Sequence, residues 1–134
     1  MIFVDTSAFV AAFAATDTNH SAAQDVFRRM ASASDGLVTT NLVLVETASL
    51  LQRRLGFEAA ARFVTVFLRP IDVLIVDRAL LDAAIREWTT SRRRQLSLVD
   101  CVSFALMRQH QIEQAFTFDR DFSKAGFALI DGVS

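Results

Sequence analysis

The chain comprises 134 residues, of which 52% are hydrophobic and 22% are charged, and its formal net charge is −1. This length supports one hydrophobic core and is too short for two ordinary domains, so we expect a single domain over residues 1–134. The high hydrophobic content excludes an intrinsically disordered chain, and the near-neutral charge excludes a uniformly basic nucleic-acid binder. Any surface that binds a polyanion must therefore be local.

The cysteine content and the amino terminus indicate the compartment. Cys101 is the single cysteine, which excludes an internal disulfide and predicts a reducing, by default cytoplasmic, environment. The apolar segment 1–16 lacks a basic leading region and contains Asp5, so we do not expect a secretory signal. No stretch approaches the ~20 apolar residues of a membrane span, so we expect no membrane association.

Short apolar runs alternate with segments of helical periodicity along the chain. In chain order we predict a strand at 2–5, helices at 6–16 and 20–33, a strand at 37–39, helices at 41–55 and 57–68, a strand at 73–76, a helix at 78–89, a loop at 90–96, a helix at 97–110, a strand at 115–118, a helical turn at 119–124 and a strand at 127–130. The start and stop signals are Thr6-Ser7, Asp35-Gly36, Thr40-Asn41, Gly56, Pro70, Asp77 and Ser97.

Strands separated by helices predict an α/β fold. Right-handed crossovers then give a three-layer α/β/α sandwich around a mostly parallel sheet of four to five strands. Ligands of such sheets gather at the carboxyl ends of the strands. Asp5 and Asp119 both stand at predicted carboxyl ends.

Two acidic residues in the first half of the chain are candidates for a site. Asp5 directly follows an apolar strand, and its simplest alternative role is to cap the following helix. Glu46 lies on a mainly apolar face of its helix, beside Leu42, Val43 and Leu50, and is predicted to point inwards. A carboxylate there must be protonated, paired with an arginine or bound to a metal, because burying it alone is costly.

Two further acids in the second half of the chain also have structural alternatives. Asp100 follows Ser97 at the spacing of a capping box. Asp119 follows an apolar strand and can cap a short helix. Four capping acids need not meet, whereas strand ends and adjacent helices of a parallel sheet can bring Asp5, Glu46, Asp100 and Asp119 together. Clustered carboxylates require a cation, and hard oxygen ligands suit Mg²⁺ or Mn²⁺ with room left for phosphate oxygens.

Four segments together resemble the PIN-domain nucleases, and among them the VapC-type toxins of bacterial toxin-antitoxin pairs. They are Val4-Asp5-Thr6-Ser7, residues 40–46 ending in Glu46, residues 96–100 ending in Asp100, and residues 116–122 containing Asp119 and Asp121. Each segment is weak alone, but four in this order across almost the full chain are specific.

The resemblance implies a metal-dependent endoribonuclease that cuts structured RNA, often transfer RNA. Asp5, Glu46, Asp100 and Asp119 would form the catalytic cluster, with Asp5, Asp100 and Asp119 holding Mg²⁺ or Mn²⁺ and a metal-activated water attacking the phosphodiester. Thr6 and Ser7 would support these acids through hydrogen bonds, and Asp121 would add a peripheral ligand. A cognate antitoxin would cover the acidic groove, and the chain would form a homodimer through apolar helices 41–55 and 57–69.

The candidate RNA-binding residues are Arg92, Arg93 and Arg94, which lie in the predicted loop before the Asp100 helix. Arginines there suit phosphate contacts that carry little sequence information. A solvated loop or an antitoxin contact is the alternative. The spacing of the twelve phenylalanines and of Trp88 places most of them in the core.

Three other functions remain open. A PIN nuclease of RNA processing or decay would share the acids but have no antitoxin. A phospho-acceptor signalling domain would also place aspartates at strand ends, with Lys124 as its only candidate lysine, but it has no role for Glu46. An inactive partner-binding scaffold would be expected to have lost acids that this chain retains.

Overall fold

A computed structural model describes residues 1–32 and 36–132. Its centre is a sheet of five parallel strands in the order β3-β2-β1-β4-β5. The strands are β1 (Ile2–Val4), β2 (Leu37–Thr40), β3 (Asp72–Leu74), β4 (Gln114–Phe116) and β5 (Ala128–Ile130). The predicted α/β class with a parallel sheet is confirmed.

Helices connect successive strands, as parallel pairing requires. The helices are α1 (Thr6–Phe13), α2 (His20–Ala31), α3 (Asn41–Leu55), α4 (Phe57–Arg62), α5 (Arg78–Ser91), α6 (Leu98–Gln109) and α7 (Asp121–Lys124). A π-helical turn over Phe63–Phe67 continues α4. Of these helices, none is both long and apolar enough to cross a membrane within the described residues.

The register of β1 and β4 shows that apolar side chains leave the sheet on both faces. Phe3 is paired with Ala115, and the next pair along is Val4 with Phe116, so Phe3 and Phe116 point to opposite faces. The Phe3 ring contacts Phe122 of α7. Phe116 packs instead against Phe27 of α2, with ring centroids 4.7 Å apart. Helices therefore cover both faces, which gives the three predicted layers.

Two predicted strands lie at different residues. The strand predicted at 115–118 ends at Phe116. Thr117 N still donates to the Ile130 carbonyl oxygen, but Phe118 N donates to Ser7 Oγ and Asp119 N to Thr117 Oγ1. The strand predicted at 73–76 ends at Leu74, and Val76 N donates to the Asn41 side chain instead. Side-chain acceptors thus replace the strand ladder at the carboxyl edge of the sheet.

Several helix boundaries also differ from the prediction, among them the end of α4, which stops at Arg62 where the π-helical turn begins. α1 ends at Phe13 rather than at residue 16, and its N-cap is Asp5, not Thr6-Ser7. α5 continues to Ser91, which shortens the predicted 90–96 loop. α2 ends at Ala31, and the predicted stop at Asp35-Gly36 begins outside the described residues.

Trp88 departs from its predicted core position. Buried phenylalanines such as Phe9, Phe63 and Phe116 do form the core, but the Trp88 side chain on α5 is 40% exposed. Its Nε1 donates a hydrogen bond to the Leu96 carbonyl oxygen. The polar edge of the indole needs this acceptor, which holds the ring at the surface rather than in the core.

Candidate active site

Asp5 lies at the carboxyl end of β1 and is buried. Its backbone begins α1, but its carboxylate makes no capping hydrogen bond. Asp5 Oδ2 accepts hydrogen bonds from Thr117 Oγ1 at 2.9 Å and from Ser7 Oγ at 3.1 Å. The carboxylate is therefore held by two hydroxyls and is not used as a helix cap.

Glu46 reaches the same region from α3 and is half-buried. Its Oε1 accepts a hydrogen bond of 2.7 Å from Thr6 Oγ1, and Thr6 Oγ1 accepts one from buried Thr47. Among the described residues no basic side chain forms an ion pair with Glu46. The buried Glu46–arginine pair, the structural alternative for this residue, is therefore not found there.

Asp100 stands in the first turn of α6. Asp100 N donates to Ser97 Oγ at 3.0 Å, and Ser97 N donates to Asp100 Oδ2 at 3.4 Å, which completes the predicted capping box. One carboxylate oxygen takes part in the longer bond. The capping role therefore coexists with a carboxylate that faces the other acids.

Asp119 and Asp121 occupy the turn after β4. Asp119 N donates to Thr117 Oγ1, and Asp121 N donates to Asp119 Oδ1 at 2.9 Å. Carboxylate oxygens of Asp100, Asp119 and Asp121 lie within 4.8 Å of one another. Asp121, predicted as peripheral, thus belongs to the tightest set, in which Asp5 is not included.

A cavity of about 300 Å³ collects these groups. The predicted residues that line it are Asp5, Thr6, Ser7, Glu46, Asp100 and Asp119. Asp17, Asn19 and Arg54 also line it and were not predicted. Arg54 carried a detectable signal, because Glu46, Leu50 and Arg54 repeat every four residues on one helix face.

Thr117 is a further residue that sequence reasoning missed. Its hydroxyl donates to Asp5, accepts from Asp119 N and lies 3.1 Å from Ser7 Oγ. One buried hydroxyl therefore connects the β1 and β4 parts of the site. The available signal was a polar residue inside the apolar run of residues 115–118.

Burial raises the pKa of two acids. The pKa of Asp5 rises from 3.8 to about 6, mainly because burial outweighs the hydrogen bonds from Thr117 and Ser7. The pKa of Asp100 rises from 3.8 to about 7, first through burial and then through the negative charges of Asp5 and Asp119. Both pKa shifts show that burial disfavours the charged forms of Asp5 and Asp100, and at Asp100 the neighbouring negative charges add to this effect.

The donor set fits a divalent cation. Asp100, Asp119 and Asp121 offer hard carboxylate oxygens at mutual distances compatible with one ion, and Asp5 adds negative charge beside them. A bound cation would also offset the repulsion that raises the pKa of Asp100.

Metal-free protein is expected to lose stability as pH rises from about 4 to about 7. Asp5 has a higher pKa when folded, so the unfolded chain releases its proton first and unfolding becomes easier until the folded pKa is passed. For Asp5 the loss is on the order of 2–3 kcal/mol. Thermal unfolding in chelator across this pH range measures it. Asp5→Asn should make the fall of stability with pH less steep, whereas Asp25→Asn, at an exposed residue, should leave it unchanged. The same dependence of stability on pH in Asp5→Asn and in the parent chain would refute the explanation.

One arginine already occupies part of the acidic cluster. Arg93 Nη2 lies 2.7 Å from Asp121 Oδ1, and the pKa of Arg93 is raised by this hydrogen bond. Arg93 was predicted to bind RNA together with Arg92 and Arg94. All three arginines are exposed, but within the described residues only Arg93 forms an ion pair, and its partner is Asp121.

Arg93→Gln is expected to bind Mn²⁺ more tightly, by about 2- to 5-fold, because a competing cation is removed from Asp121. Titration calorimetry with the metal alone measures this change. Arg94→Gln is the matched control, since Arg94 lies in the same segment and makes no ion pair within residues 1–32 and 36–132. Weaker Mn²⁺ binding by Arg93→Gln would contradict the prediction.

Carboxylates converging at the carboxyl edge of a parallel sheet, beside an open cavity, fit the class of metal-dependent enzymes that act on phosphodiesters. The chain belongs to the PIN-domain family, whose model matches residues 2–128.

Relatives extend over nearly the whole chain. A protein of Mycobacterium tuberculosis, known from two strains as the 23S rRNA-specific endonuclease VapC20, is 41% identical over 131 residues, which cover 97% of this chain and 98% of VapC20. The crystal structure of M. tuberculosis VapC20, described as a sarcin-ricin loop cleaving toxin, superposes with a TM-score of 0.85 at 39% identity, covering 96% of this chain and 97% of that one.

A more distant structure shares the fold alone. FitAcB from Neisseria gonorrhoeae superposes with a TM-score of 0.71 at 16% identity, over 98% of both chains. The predicted PIN and VapC family, and with it a metal-dependent endoribonuclease, is confirmed by the closer relatives. Family membership also removes the phospho-acceptor alternative.

Proposed function

We propose that this chain is an endoribonuclease toxin that cleaves 23S ribosomal RNA at the sarcin-ricin loop. The supporting observation is 41% identity to VapC20 over 97% of the chain. This replaces transfer RNA, the substrate suggested by the sequence, with ribosomal RNA. We further propose that residues 1–134 form one PIN domain that acts in the cytoplasm, where its substrate is.

The acids would hold Mg²⁺ or Mn²⁺ at the cavity. Asp100 and Asp119 would bind the ion, and Asp121 would be a third ligand because its carboxylate oxygen lies within 4.8 Å of theirs. Asp5 would add negative charge beside the ion. When bound, the ion supplies an activated water and stabilises negative charge on the phosphate.

Glu46 would receive a proton beside the attacking water. Thr6 donates to Glu46 Oε1, which leaves Oε2 as the proton acceptor at the cavity. Thr117 and Ser7 donate to Oδ2 of Asp5 and would fix the orientation of this carboxylate at the cavity. These hydroxyls position the acids and would not themselves touch the substrate.

Protein partners are proposed on the same basis. A cognate antitoxin would cover the acidic cavity, because VapC20 is described as a toxin and five acidic side chains line the open cavity of this chain. A homodimer would use the exposed apolar side chains of α3, α4 and the π-helical turn, which are Val45, Leu55, Phe57, Val64 and Val66.

The test is cleavage of a sarcin-ricin-loop RNA hairpin and of a transfer-RNA pool, with Mg²⁺, with Mn²⁺ and with chelator. The parent chain should cut the hairpin only with metal, and Asp5→Asn should not. Cuts confined to transfer RNA would refute the substrate, and no metal-dependent cut from folded, antitoxin-free protein would refute the enzyme.

A further inference from the structure

A groove of about 570 Å³ lies next to the acidic cavity, between the end of α5 and the start of α6. We call it the arginine groove. Its lining residues are Trp88, Thr89, Arg92, Arg93, Arg94, Leu96, Ser97 and Leu98. Three guanidinium groups and no carboxylate line it, whereas five carboxylates and one guanidinium group line the neighbouring cavity. The groove therefore favours a polyanion where the acidic cavity by itself does not.

Trp88 provides the aromatic surface of the arginine groove. The side chain is 40% exposed, and its Nε1–Leu96 hydrogen bond fixes the ring. In the described part of the chain every ring–ring contact is between phenylalanines, and the cation–π contacts involve Arg108 only. Within residues 1–32 and 36–132 the Trp88 ring therefore stacks on no other aromatic ring, and one part of it is open to solvent.

Two residues connect the arginine groove to the acids. Arg93 lines the groove and its guanidinium contacts Asp121. Ser97 also lines the groove, and its hydroxyl accepts the hydrogen bond of Asp100 N. A strand whose phosphate sits at the acids can therefore continue directly into the groove.

We propose that the arginine groove binds unpaired nucleotides of the RNA strand beside the cleaved phosphodiester. A base stacks on Trp88, and Arg92 and Arg94 contact backbone phosphates. Stacking on a fixed aromatic ring is tolerant of sequence, and arginine–phosphate contacts make it salt-dependent. The inference rests on the proposed function and assigns its substrate a second binding site outside the acids.

The backbone conformation explains why Arg93 differs in role from Arg92 and Arg94. Arg92 ends α5 in the left-handed region, with φ 52°, and the chain turns there towards α6. The turn places Arg93 on Asp121 and leaves Arg92 and Arg94 exposed in the same groove. Arg92 and Arg94 form no ion pair within the described part of the chain and can contact phosphates, whereas Arg93 is paired with Asp121.

The experiment uses the fluorescence of Trp88, which is the only tryptophan in a chain without tyrosine. A short, labelled single-stranded RNA oligonucleotide is titrated into the parent chain in chelator, and both Trp88 emission and label anisotropy are recorded. Binding should quench Trp88. Trp88→Leu should weaken binding about tenfold, and Trp88→Phe, which keeps the ring and loses the Leu96 bond, should weaken it far less.

Charge variants and controls complete the design. Arg92→Gln and Arg94→Gln should each reduce the salt dependence of binding by about one phosphate contact. Arg28→Gln, at an exposed arginine of α2 that pairs with Asp25, is the control and should leave both RNA affinity and salt dependence unchanged. Two results would overturn the proposal that RNA binds in the groove. One is RNA binding without quenching of Trp88 emission, and the other is an equal loss of RNA affinity in Trp88→Phe and Trp88→Leu.

The two proposals fail in different ways. If the parent chain cleaves the hairpin with metal and Trp88→Leu cleaves it with an unchanged KM, the proposed RNA site in the groove is wrong and the proposed nuclease activity is correct. If the parent chain never cleaves RNA but the oligonucleotide still quenches Trp88 emission, the groove is an RNA-binding site and the proposed nuclease activity is wrong. A protein partner that binds Trp88 while RNA does not would refute the groove as an RNA site.

Discussion

Asp100→Asn is expected to slow RNA cleavage by about 10³-fold or more, because it removes a carboxylate that lies within 4.8 Å of the oxygens of Asp119 and Asp121. The amide oxygen can still accept from Ser97 N, so the capping box and α6 should be retained. Removing a carboxyl whose pKa is raised to about 7 should also make metal-free protein more stable at neutral pH. Single-turnover cleavage and thermal unfolding in chelator measure the two effects.

The matched control is Asp82→Asn, an exposed aspartate paired with Arg78 on α5, which should cleave at the parent rate. Two results would count against the prediction for Asp100. One is cleavage by Asp100→Asn within a few-fold of the parent. The other is a fall in metal-free stability, which would mean that Asp100 serves mainly as the helix cap.

Glu46→Gln is expected to abolish cleavage and weaken metal affinity while the fold stays intact. Glutamine keeps the size and the oxygen that accepts from Thr6 Oγ1, but it cannot take a proton or add negative charge to the cavity. The expected loss of rate is about 10²–10⁴-fold. Cleavage rates and Mn²⁺ titration of the same preparation measure both.

Thr6→Val tests the orientation of the Glu46 side chain separately from its charge. It removes the hydrogen bond to Glu46 and keeps the carboxylate, so a smaller loss of about 10–100-fold is expected. Glu58→Gln, at the exposed start of α4, is the control for loss of one negative charge. If Glu46→Gln cuts as fast as the parent chain, Glu46 has no part in the chemistry.

Local signals predicted much of the fold. Gly56 ends α3 as expected, Asp77 caps α5 through a hydrogen bond to Leu80 N, and Ser97 and Asp100 form the expected capping box. These features depend on residues three or four positions apart, so they can be read from sequence. The strand ends were less accurate, since the ladder stops where side chains such as Asn41 supply acceptors.

The candidate site was only partly predictable. Asp5 and Asp119 were expected at strand ends, but the Thr117 hydroxyl that joins them was missed, because its partner Asp5 is 112 positions away. The Arg93–Asp121 ion pair spans 28 positions and was missed for the same reason. Trp88 was expected in the core because periodicity cannot show that its indole nitrogen finds an acceptor at the surface.

The sequence by itself determined the α/β class, the family and the set of acids, because apolar periodicity, caps and short motifs are local properties of the chain. Only the tertiary structure decided which acids meet. The strand order β3-β2-β1-β4-β5 places the end of β4 beside the end of β1, so Thr117 can reach Asp5. It also brings Asp121, with Arg93 on it, into contact with Asp119 and Asp100, since distances between remote residues depend on packing rather than on spacing along the chain.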